Sequence, residues 1–153
     1  VLVILMANCP TISLGIIQKG LEFLRDDESH VYDSCVTVSQ YNEFNPLRAR
    51  KIIDGNLVPA IELSYFENTT SSLGHDRNSA GDFYFCDGAA WIVRKKCLNL
   101  DYGTIPYKWI GKTIKPLVQS DAFDVDNPRS LANAEFWLKR EGFTESETPY
   151  TCF

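Results

Sequence analysis

Several things are missing from this 153-residue sequence. No apolar run is longer than VLVILMA at residues 1–7. A bilayer-spanning helix needs about 20 such residues, so no membrane anchor is expected. That run also lacks the basic lead and the cleavage site of a signal peptide. No C-x-x-C pair occurs; the cysteines at 9, 35, 86, 97 and 152 are odd in number and scattered. This pattern suggests neither a zinc ribbon nor a disulfide framework. Reduced thiols in a cytoplasmic protein are the expectation, and Asn68-Thr69-Thr70 then has no meaning as a glycosylation acceptor. Positive charge is in deficit: 15 Lys and Arg against 20 Asp and Glu leave a net charge of −5. Nucleic-acid binding through bulk charge is therefore not expected. An anionic ligand would have to be met by locally focused basic residues. Repeats and long low-complexity tracts are absent too.

What remains has the makings of an ordinary globular protein. Apolar and charged fractions of 44% and 23% are typical, and the length fits one domain over 1–153 with a tail at 144–153. Such a chain buries roughly two thirds of its unfolded surface. Residues 1–7 are rich in β-branched side chains and do not alternate, which predicts a central strand of a parallel sheet, covered on both faces. The chain opens inside this hydrophobic run, at Val1. Asn8-Cys9-Pro10-Thr11 breaks the strand. Thr11 can cap a helix to about residue 27, with Ile17, Leu21 and Leu24 forming one stripe. SCVTVSQY at 34–41 predicts a second strand, and the three elements together a βαβ unit. A short strand is expected near 48–53, then a turn at Asp54-Gly55. Residues 67–81, with His75 and Arg77, read as a long polar loop. Strands are expected at about 89–95 and 111–119. Asn127 as N-cap and Pro128 at the first helical position predict a final helix over 128–141, with Gly142 at its stop.

DAFDVDNP at 121–128 carries the sharpest candidate chemistry. Asp124 and Asp126 are one residue apart, so on a strand both face the same way. Together at a strand-to-helix junction they could hold Mg²⁺, a cation that takes one or two carboxylates and completes its shell with phosphate and water. Two solvated strand-end carboxylates are the other reading of so short a motif. In NPLRARK, Arg48 and Arg50 share a strand face where guanidinium groups could meet phosphate, or could simply protect a sheet edge. Cys9 precedes a helix start, where a thiolate would be stabilised, though free cysteine more often packs as a small hydrophobe.

Taken in order, these stretches resemble the acylneuraminate cytidylyltransferase family, whose members make CMP-sialic acid and related CMP-ulosonic acids. VLVILMANCPT is similar to the family's central strand and its small-residue-Pro loop. YDSCVTVSQYNEFNPLRARKI is similar to its DS-V-V segment followed by Pro and a basic residue. CDGAAWIVRKKCL resembles its Asn-Gly-Ala strand, and DAFDVDNPRSLANAE its D-x-D and last helix. The resemblance implies a Rossmann-like three-layer α/β/α nucleotidyltransferase fold with a mostly parallel sheet, lacking the family's N-terminal half. It implies transfer of CMP from CTP to a nonulosonic acid with Mg²⁺, or Mn²⁺ in its place, in a homodimer or larger assembly with partner contacts around 97–118. By position, Asp124 and Asp126 match the metal ligands. Arg48 and Arg77 match the basic catalytic residues. Asn8, Cys9, Asp87, Gly88 and Trp91 match the lining of the nucleotide and sugar pocket. The sequence departs from the family with Asp87 for the usual Asn, Trp91 for the usual Tyr and Met6 for a polar residue. The Arg/Gly/Ser/Lys-rich loop that cradles the triphosphate has no counterpart. Alternatives are a non-catalytic sugar-acid or nucleotide-binding module, and a component completed by another chain.

Overall fold

The computed structural model describes residues 1–62, 81–120 and 122–149. These form two compact units, one built from residues 1–39 and from 86 onward, the other from 40–85. The element order is β1 (Leu2–Leu5), α1 (Leu14–Asp26), β2 (Ser34–Gln40), β3 (Arg50–Ile53), β4 (Asn56–Pro59), β5 (Tyr84–Val93), β6 (Ile114–Gln119) and α2 (Pro128–Arg140). Short 3₁₀ turns lie at Asn42–Phe44, Pro46–Arg48, Lys95–Leu98 and Lys108–Ile110. No helix among the described residues is long and apolar enough to cross a membrane.

The larger unit is organised by a sheet of order β1-β5-β2-β6. β1 runs antiparallel to β5, with Leu2 opposite Val93 and Leu5 opposite Ala90. β5 also runs against β2: the Arg94 amide bonds Asp33 O, while further along the Thr37 side chain meets Ala90. β2 and β6 are parallel, Ser34 opposite Ile114 and Ser39 opposite Gln119. The expected mostly parallel sheet is thus overturned: β5 is inserted antiparallel between β1 and β2. The expectation for residues 1–7 fails in the same way. β1 is an edge strand with one neighbour, and Leu2 and Leu5 are exposed. Its apolar run encodes a strand and a preference for burial, but neither its neighbours nor their direction.

One face of the sheet carries α1. Leu24 is buried with Cys35, Ile92 and Leu117, and Val3, Ile16, Ile17 and Phe23 pack around them, so this cluster joins the helix to residues of all four strands. Gly20 allows this approach: a β-carbon there would run into the side chains of Ile92 and Leu117. The other face buries Val36, Trp91, Val93, Cys97 and Ile110, with Ile4, Trp109 and Ile114 beside them. That cluster contains no residue of α1 or α2; it is closed by the two 3₁₀ turns between β5 and β6. The three-layer α/β/α arrangement is therefore not shown. Gly103, Pro106 and Gly111 keep the chain between these strands from forming a long helix.

Asp33 anchors that irregular cover. Its fully buried carboxylate pairs with Lys96, takes the amides of Lys112 (2.7 Å) and Thr113 (3.0 Å), and accepts from Tyr102 Oη (3.1 Å). Burial pushes this carboxyl up, but those donors outweigh it and hold it well below the usual carboxylate range.

Local signals acted as expected in α2. Asn127 Oδ1 accepts from the amides of Arg129 and Ser130, and Ser130 Oγ accepts from the Asn127 amide, a reciprocal capping box behind Pro128. In the smaller unit, β3 and β4 pair as a hairpin around Asp54 (φ 50°) and Gly55 (φ 76°). Both values are left-handed, as a tight hairpin turn requires.

Candidate functional site

The loop that leaves β1 and the segment between β6 and α2 are stitched together. Asn8 O accepts from the Val125 amide at 2.8 Å, and Thr11 Oγ1 accepts from the Phe123 amide at 2.9 Å. Asn8 Nδ2 donates to Asp126 Oδ1 at 3.0 Å. Thr11 is buried, and its hydroxyl is spent on this contact; the cap of α1 is Ser13 instead, accepting from the Ile16 amide. Between the two segments Cys9 is buried with Ala89 and Ala122. Burial, then the carboxylates of Asp87 and Asp124, push its thiol up, the Thr11 hydroxyl pulling only partly the other way. Cys9 is thus a packed thiol, the opposite of an activated one.

Asp124 and Asp126 stand exposed on this stitched surface. Desolvation and then the charge of Asp126 raise the Asp124 carboxyl above its ordinary value. The pair is close enough to repel, as the one-residue spacing requires. Gly88 of β5 faces them with φ 80°, and a β-carbon there would sit 3.8 Å from Asp124 Oδ2. A bare backbone at this point leaves the carboxylate approachable from the sheet side.

Asp87, next to Gly88, turns inward. Its Oδ1 accepts from Thr37 Oγ1 (2.6 Å) and the Ala89 amide (3.1 Å); its Oδ2 accepts from Ser39 Oγ (2.8 Å) and Gln119 Nε2 (3.0 Å). Both oxygens of this buried acid are thereby committed, and four donors replace the water it lost. Its partners were missed in the sequence. The available signal was T-V-S in β2: two hydroxyls on one face of a buried strand need a polar partner.

Trp91 lies apart from these residues within the larger unit. Trp91 is 5% exposed, with ring centroids 4.6 Å from Trp109 and 5.2 Å from Tyr107. Its indole N–H is buried without an acceptor among the described residues. It is core on the face opposite α1. Arg48 is the exposed last residue of a half-buried 3₁₀ turn of the smaller unit, where Asn45 Oδ1 accepts from the Leu47 amide. Arg77 and His75 lie outside the described residues. The structure therefore gathers Asn8, Cys9, Asp87, Gly88, Asp124 and Asp126, and separates Trp91 from them. Among the described residues no group of three or more His, Cys, Asp or Glu side chains could hold a metal. The sequence matches no protein-family model and no curated protein.

Proposed function

We propose that the chain is a cytidylyltransferase-like domain, related to enzymes that transfer CMP from CTP to a nonulosonic acid, and weak or inactive by itself. The observation that carries this reading is the stitched loop pair that presents Asp124 and Asp126 across from Gly88. The reading rests on these residues, since a central parallel β1, which would have supported it, is not what the sheet contains.

The carboxylates suit Mg²⁺ or Mn²⁺. Asp124 receives no hydrogen bond among the described residues, Asp126 keeps Oδ2 free, and a cation would relieve the repulsion that raises Asp124. Two carboxylates are what Mg²⁺ takes when phosphates complete its shell. When bound, the ion would offset charge on the triphosphate. Asn8 and Thr11 fix the loop that carries the carboxylates, and Asp87 holds the strand at Gly88. Arg48 and Arg77 are the proposed phosphate contacts. The free thiols of Cys9, Cys35, Cys86 and Cys97 fit a reducing compartment, the cytoplasm in this proposal.

Titrating Mn²⁺ in the presence of CTP tests the site. Wild type should bind, with Asp126→Ala weakened about tenfold or more, as expected for loss of one charge-assisted ligand. Equal binding by both proteins would reject the site. Pyrophosphate release with Mg²⁺, CTP and a panel of nonulosonic acids should stay far below the 1–10³ s⁻¹ common among enzymes. This chain offers no glycine-rich basic loop to position the triphosphate.

A second reading is favoured by β1, whose outer edge has no strand beside it among the described residues. It makes the chain a protein–protein component whose sheet is completed by another polypeptide, or by a second copy in a homodimer or larger assembly.

A further inference from the structure

Away from Gly88 and Asp124, toward the end of the sheet where Leu2 meets Val93, a cavity of about 280 Å³ opens between Val1, His30, Arg94, Lys95 and Lys96. A cationic wall is unexpected in a chain of net charge −5. Three of the four carboxylates of the neighbouring segment 26–33 are tied to cations, Asp26 to Arg25, Asp27 to Arg94 and Asp33 to Lys96; the fourth, Glu28, is exposed. Lys95, exposed and without a partner among the described residues, is the cation of this wall that is not spent on an ion pair.

Arg94 adds direction to that charge. Its Nε donates to Tyr32 O at 2.8 Å, and its Nη2 donates to Leu24 O at 2.7 Å and to Asp27 Oδ2 at 3.2 Å. These bonds hold the guanidinium rigid while Nη1 has no acceptor among the described residues. His30 is exposed, and its ring likewise has no partner there. Lys96, although paired with Asp33, keeps its side chain 41% exposed. Three residues that each keep a side-chain nitrogen without a partner among the described residues, Arg94, Lys95 and His30, therefore line one small cavity.

We infer that this cavity binds a phosphate group, held by Arg94 Nη1, Lys95 and His30. Tetrahedral phosphate oxygens suit a preorganised guanidinium joined by a mobile ammonium. The volume is at the low end of ligand pockets, about 300 Å³, and admits a phosphate or a small phosphomonoester but no nucleotide. The site uses none of the residues of the proposed cytidylyltransferase reading and stands or falls separately.

Amide NMR spectra of the 153-residue chain, titrated with inorganic phosphate, with methyl phosphate and with sodium chloride at matched ionic strength, test it. Saturable shifts at residue 30 and residues 94–96 with phosphate, absent with chloride, are expected. Lys95→Gln should weaken them roughly tenfold, the size of one lost charge-assisted bond. The Lys95 side chain is exposed and has no hydrogen bond or ion pair among the described residues, so the variant should fold; Arg94, which braces α1, is left intact. Saturation by inorganic phosphate and not by methyl phosphate supports a site for the free anion. Saturation by both supports one for a phosphomonoester end group. Shifts that follow ionic strength equally in chloride, or a Lys95→Gln protein indistinguishable from wild type, would overturn the inference.

Discussion

Two buried aspartates show how differently one residue type can be used. Asp33 has an ion-pair partner and donors from three other residues; Asp87 has four donors and, among the described residues, no cation. For Asp33 the consequence is a pH dependence. Its carboxyl titrates below the ordinary range in the folded chain, so the stability it contributes is present above the unfolded value, about 3.9. That contribution is lost as pH falls below this value toward the folded one. Asp33→Asn should cost about 3 kcal/mol at pH 7, the lower end for breaking a buried pair, because Lys96 is itself partly exposed. Chemical denaturation of both proteins from pH 7 to pH 2.5 is the measurement. The gap between them should narrow below about pH 4, and a constant gap would contradict the account.

Among the elements, those with complete local signals formed as expected. α2 has its cap, its first-position proline and its stop at Gly142 within one short stretch, and no distant contact is needed to place it. Asn127→Ala should therefore cost about 1 kcal/mol, read as a lower thermal midpoint, with Asn127→Ser close to wild type. α1 was less legible. Thr11 and Ser13 are both competent caps by type, and the choice fell to Ser13 because Thr11 is drawn to the Phe123 amide, more than a hundred residues away in sequence. The candidate site divides along the same line. Asp124, Asp126 and the helix behind them were legible because one short motif contains them. The bracing of Asp87 by Thr37, Ser39 and Gln119 was not, because the partners come from two other strands, β2 and β6, whose adjacency to β5 no local pattern records. Trp91 was placed in a pocket by resemblance, and neighbouring aromatics bury it instead.

For the whole molecule, the exposed edge matters most. Among the described residues β1 has no strand on one side; it carries no charge or proline to discourage pairing, and Leu2, Leu5 and Met6 are exposed beside it. The chain is expected to self-associate or to recruit a strand. Light scattering coupled to size exclusion should show wild type above monomer mass, and Leu5→Lys shifted toward the monomer with an unchanged far-UV spectrum. A wild-type monomer across micromolar concentrations would remove the edge as an assembly surface.

The sequence by itself determined which stretches extend and which coil, the hairpin turn at Asp54-Gly55, the capping box of α2 and the joint position of Asp124 and Asp126. All of these follow from contacts within a few residues, where steric limits and short-range hydrogen bonds decide. Tertiary structure decided the direction of β5, the edge position of β1, the irregular cover over Trp91 and the donor shell of Asp87. These depend on which apolar surfaces meet, and a hydrophobic run is attracted to any apolar surface without specifying a neighbour or an orientation.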